Sequence, residues 1–148
     1  MRKLFFSLVV LSALILVLAA CGGGGDSGGN GGGGSDEGGG TTAGNAENGE
    51  KLYKQTTIGS ASAPGCITCH SLEEGVVLVG PSHYGLATRA ETAVAGMSAE
   101  EYLHQSIVDP DAHITEGFTA GIMYQNYGAE LPEAQINDLV AFLMTQNQ

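Results

Sequence analysis

Basic residues are scarce in this sequence: five Lys and Arg stand against 16 Asp and Glu, for a formal net charge of −11. Arg2 and Lys3 lie in a segment expected to be removed on export, which leaves three cations against 16 acids, or −13, on the mature chain. So acidic a chain is a poor partner for nucleic acid or an anionic lipid surface. Cysteine is also sparse, with Cys21, Cys66 and Cys69 alone. An odd count argues against a disulfide framework and asks for a separate role for each thiol. Folded length is short as well. Of the 148 residues 24 are Gly, crowded most densely between positions 22 and 40, and only the 103 residues from Ala46 to Gln148 have the composition of a folded unit. That length supports one compact core and excludes a large barrel or a doubly wound dinucleotide enzyme.

The N-terminus reads as an address. Met1-Arg2-Lys3 is a positive lead-in, Leu4 to Leu18 an apolar run, and Ala19-Ala20 are small residues directly before Cys21. This is the pattern of a bacterial export signal over residues 1–20. Leu18-Ala19-Ala20-Cys21 also resembles a lipobox, after which signal peptidase II cuts to leave a lipid-modified Cys21. The alternative is an uncleaved membrane helix at the lower limit of spanning length. Either outcome holds the domain at a membrane, on its periplasmic or extracellular side. The Gly-rich stretch that follows has no apolar face to bury and reads as a flexible tether over 21–45. As a coil, residues 22 to 45 reach about 27 Å root-mean-square and about 80 Å fully stretched.

Chemistry concentrates at Cys66-Ile67-Thr68-Cys69-His70. The spacing puts two thiols on one turn with an imidazole next to the second, the C-x-x-C-H attachment signature for c-type haem. Each thiol adds across one porphyrin vinyl group to give a thioether, and the adjoining imidazole reaches the iron from the same side. A thioredoxin-like C-x-x-C would open a helix after a strand, and no strand–helix alternation surrounds it. A zinc site would need a second ligand pair; Cys21 is too distant, and the spacings of His83, His104 and His113 match no common pattern.

The coarse pattern is helical. Helix formers run from Ala46 to Thr57, and Ser98-Ala99-Glu100-Glu101 forms a capping box opening a helix that Asp109-Pro110 ends near Val108. A last helix begins near Pro132, with Ile136, Leu139, Val140 and Leu143 at i, i+3, i+4 and i+7. The one β-branched run, Gly75 to Gly80, is a weak strand signal.

From Asn48 to Gln148 these residues resemble class I cytochrome c, which implies an all-α fold packed around one covalent haem c. Gly49 and Tyr53 match the first-helix Gly and aromatic that pack on the last helix, here on Leu139 and Phe142. Cys66, Cys69 and His70 match the haem attachment. Gly80-Pro81 matches the pair whose proline carbonyl orients the ligand imidazole, and Gly85 and Arg89 match a further glycine and the arginine near a haem propionate. The chain departs from the family pattern in three places: Tyr124 rather than Pro follows Met123, His83 stands where a leucine is usual, and tryptophan is absent. The second half also resembles the monohaem lipoprotein subunit of alternative complex III.

For the second axial ligand the residues themselves leave several competitors. Met97 precedes the capping box and Met144 lies beside the last helix's apolar stripe, whereas Met123 sits in an irregular stretch from Gly117 to Gly128 able to carry a thioether over the far haem face. His83 is the histidine alternative. A His/Met pair raises the potential and leaves no open iron site, which favours electron transfer. The expected function is therefore a tethered one-electron carrier rather than an enzyme, in a respiratory or photosynthetic chain, free-standing or within a quinol-oxidising complex. The competing classes are a haem enzyme or gas sensor with an open or displaceable sixth site, and a non-haem thiol or metal protein. Partners would be redox proteins or a membrane complex. With Lys51, Lys54 and Arg89 the mature chain's only cations, no lysine ring is available for docking, and the partner face is expected to be neutral or basic. Cys21→Ser should abolish the diacylglyceryl modification, read as lipid mass on the mature N-terminus; an intact Met1 terminus in the wild type would support the membrane-helix alternative.

Overall fold

In the computed structural model, which describes residues 43–148, helix α1 spans Ala46–Tyr53. The expected signal over 1–20, Cys21 and most of the tether lie outside the described residues. Asn45 caps α1: its side chain accepts from the Asn48 N–H at 3.0 Å, satisfying one of the first-turn donors. Two solvent-exposed i,i+4 pairs, Lys51–Glu47 at 2.9 Å and Lys54–Glu50 at 2.6 Å, lie along the outer face, where water and salt screen them and they add little.

The expected helix to Thr57 ends early, at Tyr53. Thr56, Thr57 and Ile58 are β-branched and favour an extended backbone. They turn into a two-residue antiparallel hairpin, β1 (Thr57–Ile58) with β2 (Ala63–Pro64), in which Thr57 faces Pro64 and Ile58 faces Ala63. The chain then crosses itself, Gly65 N–H donating to Thr56 O at 2.8 Å. A Cβ on Gly65 would lie 1.7 Å from Gln55 O, so this crossing admits only glycine.

The run Gly75–Gly80, the one strand signal in the sequence, is a loop rather than a strand. No neighbour offers it a ladder; instead Gly80 N–H donates to Cys69 O at 2.8 Å and folds the segment back over the Cys-His motif. Beyond it come α2 (Leu86–Ala90), α3 (Ala99–Val108), α4 (Tyr127–Glu130) and α5 (Glu133–Leu143). The capping box on α3 is formed from both sides: Glu101 N–H donates to Ser98 Oγ at 3.2 Å, and Ser98 N–H donates to Glu101 Oε2 at 2.8 Å. The helix ends at Val108, where the sequence pattern placed its stop. Pro132 caps α5 from outside the first turn.

Helix α5 buries Ile136, Leu139, Val140, Phe142 and Leu143, with Ile136 and Leu139 each 1% exposed. Its main partner is α1, at the far end of the described chain. The helices touch at Gly49, where a Cβ would lie 1.9 Å from Asp138 O and 2.8 Å from the Phe142 Cβ. One turn on, Tyr53 packs on Phe142 with ring centroids 5.2 Å apart, a tilted aromatic pair. Asn45 N–H donates to Asp138 Oδ1 at 2.6 Å and pins the start of α1 to α5. No helix among the described residues is long and apolar enough to cross a membrane. Gly49→Ala is expected to destabilise the domain by about 1–3 kcal/mol through overpacking, read as a lower denaturant midpoint of the haem-loaded protein with unchanged m-value. A wild-type midpoint would show that the helices do not need this approach.

Candidate functional site

Local backbone physics builds the first part of the site. Cys66–Thr68 form one 3-10 turn, closed by Cys69 N–H to Cys66 O at 3.1 Å and His70 N–H to the same carbonyl at 2.9 Å. Thr68 Oγ1 donates to Gly65 O at 2.6 Å and tightens it. Residues 66 and 69 therefore face the same way, and both thiols line one cavity of about 1390 Å³. Neither is in a disulfide. Burial pushes the Cys66 thiol up to about 12, which disfavours the free thiolate that disulfide exchange needs. Among the described residues no three His, Cys, Asp or Glu side chains converge on a point fit for a metal ion.

The loop that returns through Gly80 orients His70. Its Nδ1–H donates to the Pro81 carbonyl at 2.8 Å, a bond that fixes the tautomer and leaves Nε2 as the free lone pair. Burial lowers the His70 pKa, the Pro81 bond opposing that shift, and the ring is held neutral as iron ligation requires. Gly80 lies so close that a Cβ there would be 2.4 Å from His70 Cε1 and 2.8 Å from Nδ1. From beneath, buried Tyr53 donates its hydroxyl toward the His70 carbonyl at 3.4 Å.

Of the methionines in the described chain, only Met123 lines the cavity. Met144 caps the end of α5 and packs against the core. The Met123 loop is irregular as expected, with left-handed Gly117 and Gly121 at φ +87° and +76°. It is held by Asp111, whose Oδ1 accepts from Gly121 N–H at 2.8 Å and from Gln125 Nε2 at 3.3 Å. Gln125 also donates to Met123 O at 2.8 Å.

His83, the alternative sixth ligand, is placed where it cannot serve as one opposite His70. Its ring stacks on that of His70, centroids 4.0 Å apart and planes 18° off parallel. Faces in van der Waals contact leave no room for a macrocycle between them. His104 pairs with Glu133 at 2.8 Å. His113 borders the cavity, but its Nε2 is bonded to Gln105 Oε1 at 3.0 Å. Arg89 reaches the cavity rim and spends two donors on the backbone, to Ser82 O at 2.7 Å and to Tyr84 O. Its remaining N–H groups are the cationic donors at this rim, which suits a carboxylate there. Gly85 caps α2 in the left-handed region at φ +63°.

The cavity exceeds the roughly 300–1000 Å³ of ordinary small-ligand pockets and is walled by apolar side chains such as Leu86, Leu103, Ile107 and Leu143. Two thiols and an oriented neutral imidazole enter it with a thioether, a donor set that fits a planar iron macrocycle attached through two side arms. The cytochrome c family model matches residues 46–147. This chain belongs to the cytochrome c family. It has the family's mostly helical class I fold, with the small β1–β2 hairpin as the one departure from an all-α description among the described residues, and it binds haem c as an electron-transfer protein. No curated relative matches the chain.

Sequence patterns gave no sign of Asp111 as the clasp of the Met123 loop, nor of Tyr53 and His83 behind His70. Each acts across ten or more residues, with no local spacing rule to reveal it. Gly80→Ala should displace the His70 ring from the Pro81 carbonyl; a loss of about 1–3 kcal/mol in the stability of the haem-loaded protein is expected, checked by denaturant unfolding and by haem-stained yield. Wild-type yield and stability would mean that the ring has room to move.

Proposed function

We propose that this cytochrome c is a membrane-tethered one-electron carrier, anchored by lipid at Cys21 outside the cytoplasm and working in a respiratory or photosynthetic chain. It serves as a free-standing carrier or as a subunit of a quinol-oxidising complex. The observation that carries the reading is the convergence of Cys66, Cys69, His70 and Met123 on one apolar cavity. When bound, the haem supplies one-electron exchange between ferric and ferrous iron. Cys66 and Cys69 would hold it through two thioethers, and His70, through Nε2, and Met123, through its sulfur, would hold the iron. A soft thioether favours the ferrous state, so Met123 as a ligand would raise the potential and leave no iron site open to exogenous ligands. Arg89 offers its remaining donors to a propionate. Leu86, Leu103, Ile107 and Leu143 exclude water from the cavity.

Charge limits the partner. Lys51 and Lys54 are already paired with acids, so the surface has little free positive charge to offer. A redox partner with a neutral or basic docking face fits this surface, and electrostatic steering toward a basic one would weaken with salt.

Met123→Ala should remove the weak methionine-to-ferric-iron band at the red end of the visible spectrum, lower the midpoint potential and allow carbon monoxide to bind the ferrous form. Absence of that band from the wild type would move the reading to an open-site haem enzyme or sensor. Cys66→Ala and Cys69→Ala should each lose one thioether, seen as a displaced pyridine haemochrome band and reduced haem staining on denaturing gels. Unaltered covalent haem in both would overturn the attachment.

A further inference from the structure

A ligand imidazole has more freedom than its two nitrogens control. Iron at Nε2 and a carbonyl at Nδ1 define the ring's long axis and tautomer, but hydrogen bonds to a carbonyl tolerate a broad range of directions. The ring can still rock about that axis. The angle matters because the plane of an axial imidazole sets which iron d orbital overlaps its π system. Something must press on the face of His70.

That contact is His83. Its ring lies 4.0 Å from His70, 18° from parallel, and is itself tied down: Nδ1 is 3.2 Å from the Tyr53 hydroxyl, with the two rings tilted 54° and centroids 5.7 Å apart. The same hydroxyl points at the His70 carbonyl at 3.4 Å. A carbonyl only accepts, so the arrangement that uses every group has Tyr53 donating to His70 O and His83 Nδ1–H donating to the Tyr53 oxygen. Tyr53 in turn is fully buried and packed on Phe142 of α5. The brace on the His70 ring therefore runs through His83 and Tyr53 into the α1–α5 contact. The His83 backbone is fixed too: its N–H donates to Ser71 O at 2.8 Å, and Arg89 clamps the carbonyls of Ser82 and Tyr84 on either side. A buried imidazole without a partner would be costly; here its hydrogen bond serves to hold the ring in place.

We propose that His83 is a positioning residue for His70, its stacked ring, anchored by Tyr53, setting the plane of the axial imidazole and with it the electronic state of the iron. This rests on the reading of His70 as a haem ligand. His83 also lines the cavity, and the role proposed for it is exerted on the face of the His70 ring.

Three variants of the full-length, haem-loaded protein test it: His83→Leu removes the ring, His83→Phe keeps a flat ring without nitrogens, and Tyr53→Phe removes only the anchoring hydroxyl. The measurements are the spread and order of the haem methyl resonances in ferric-state NMR, the anisotropy of the ferric EPR signal and the midpoint potential. His83→Leu should reorder the methyl resonances and shift both EPR signal and potential, whereas His83→Phe, which keeps the stacked face and loses the Tyr53 anchor, should give a smaller shift, comparable with that of Tyr53→Phe. Tyr53→Phe should give a smaller shift in the same sense as His83→Leu. Wild-type spectra and potential in His83→Leu would overturn the proposal, as would a His83→Phe protein that behaves like His83→Leu. Should His83→Leu fail to load haem, Tyr53→Phe decides: a displaced methyl pattern supports the brace and an unchanged one overturns it. A separate control addresses the underlying reading. If His70→Ala keeps the wild-type low-spin spectrum, His70 is not the ligand and the proposal falls with it; if only the His83 and Tyr53 variants are silent, the ligand assignment stands and the brace alone is refuted.

Discussion

Close approach of α1 to α5 at Gly49 is the constraint on which the rest of this molecule depends. With no side chain at that position the helices meet backbone to backbone, and the two ends of the described chain lock together around Asp138 and Phe142. Tyr53, one turn along α1, is thereby carried into the core with its hydroxyl directed at the Cys-His segment. The haem site is thus supported from beneath by α1 and α5, although Cys66, Cys69, His70 and Met123 lie on neither of them.

Above that floor the site hangs on loops. The turn at Cys66–Thr68, the return at Gly80-Pro81 and the Met123 segment are irregular, and each is stiffened by a few specific hydrogen bonds rather than by a ladder. Loops of this kind can follow the outline of a flat cofactor, which regular helices cannot do without leaving gaps. A covalently attached macrocycle then contributes core of its own, and a chain with about a hundred residues to fold gains from that, because small domains bury a limited share of their surface.

Net acidity shapes the exterior. The cations of α1 are engaged by carboxylates one turn away, and Arg89 is engaged by its own loop. Around the cavity the exposed large apolar residues Val79, Ile114 and Ile122 line the opening, with the acids Asp111 and Glu116 among them.

Where chemistry depended on neighbours in sequence, the sequence alone was sufficient. Cys66, Cys69 and His70 are spaced by one turn of backbone, Ser98 and Glu101 close a box across three residues, and the apolar stripe of α5 repeats with the helix itself; all of these are local, and the fold realises each of them. The β-branched run Thr56-Thr57-Ile58 favours an early end to α1, but the hairpin that fixes it depends on Ile58 meeting Ala63 and on Gly65 crossing Thr56. Spacing could not decide between Met123 and the spare histidines. Only the folded chain turns Met123 toward the cavity, withdraws His104 to Glu133 and lays His83 flat on His70. The physical reason is the range of the interactions: caps, turns and periodic faces are settled within a few residues, whereas the direction of a side chain on an irregular loop is settled by whatever the rest of the chain packs against it.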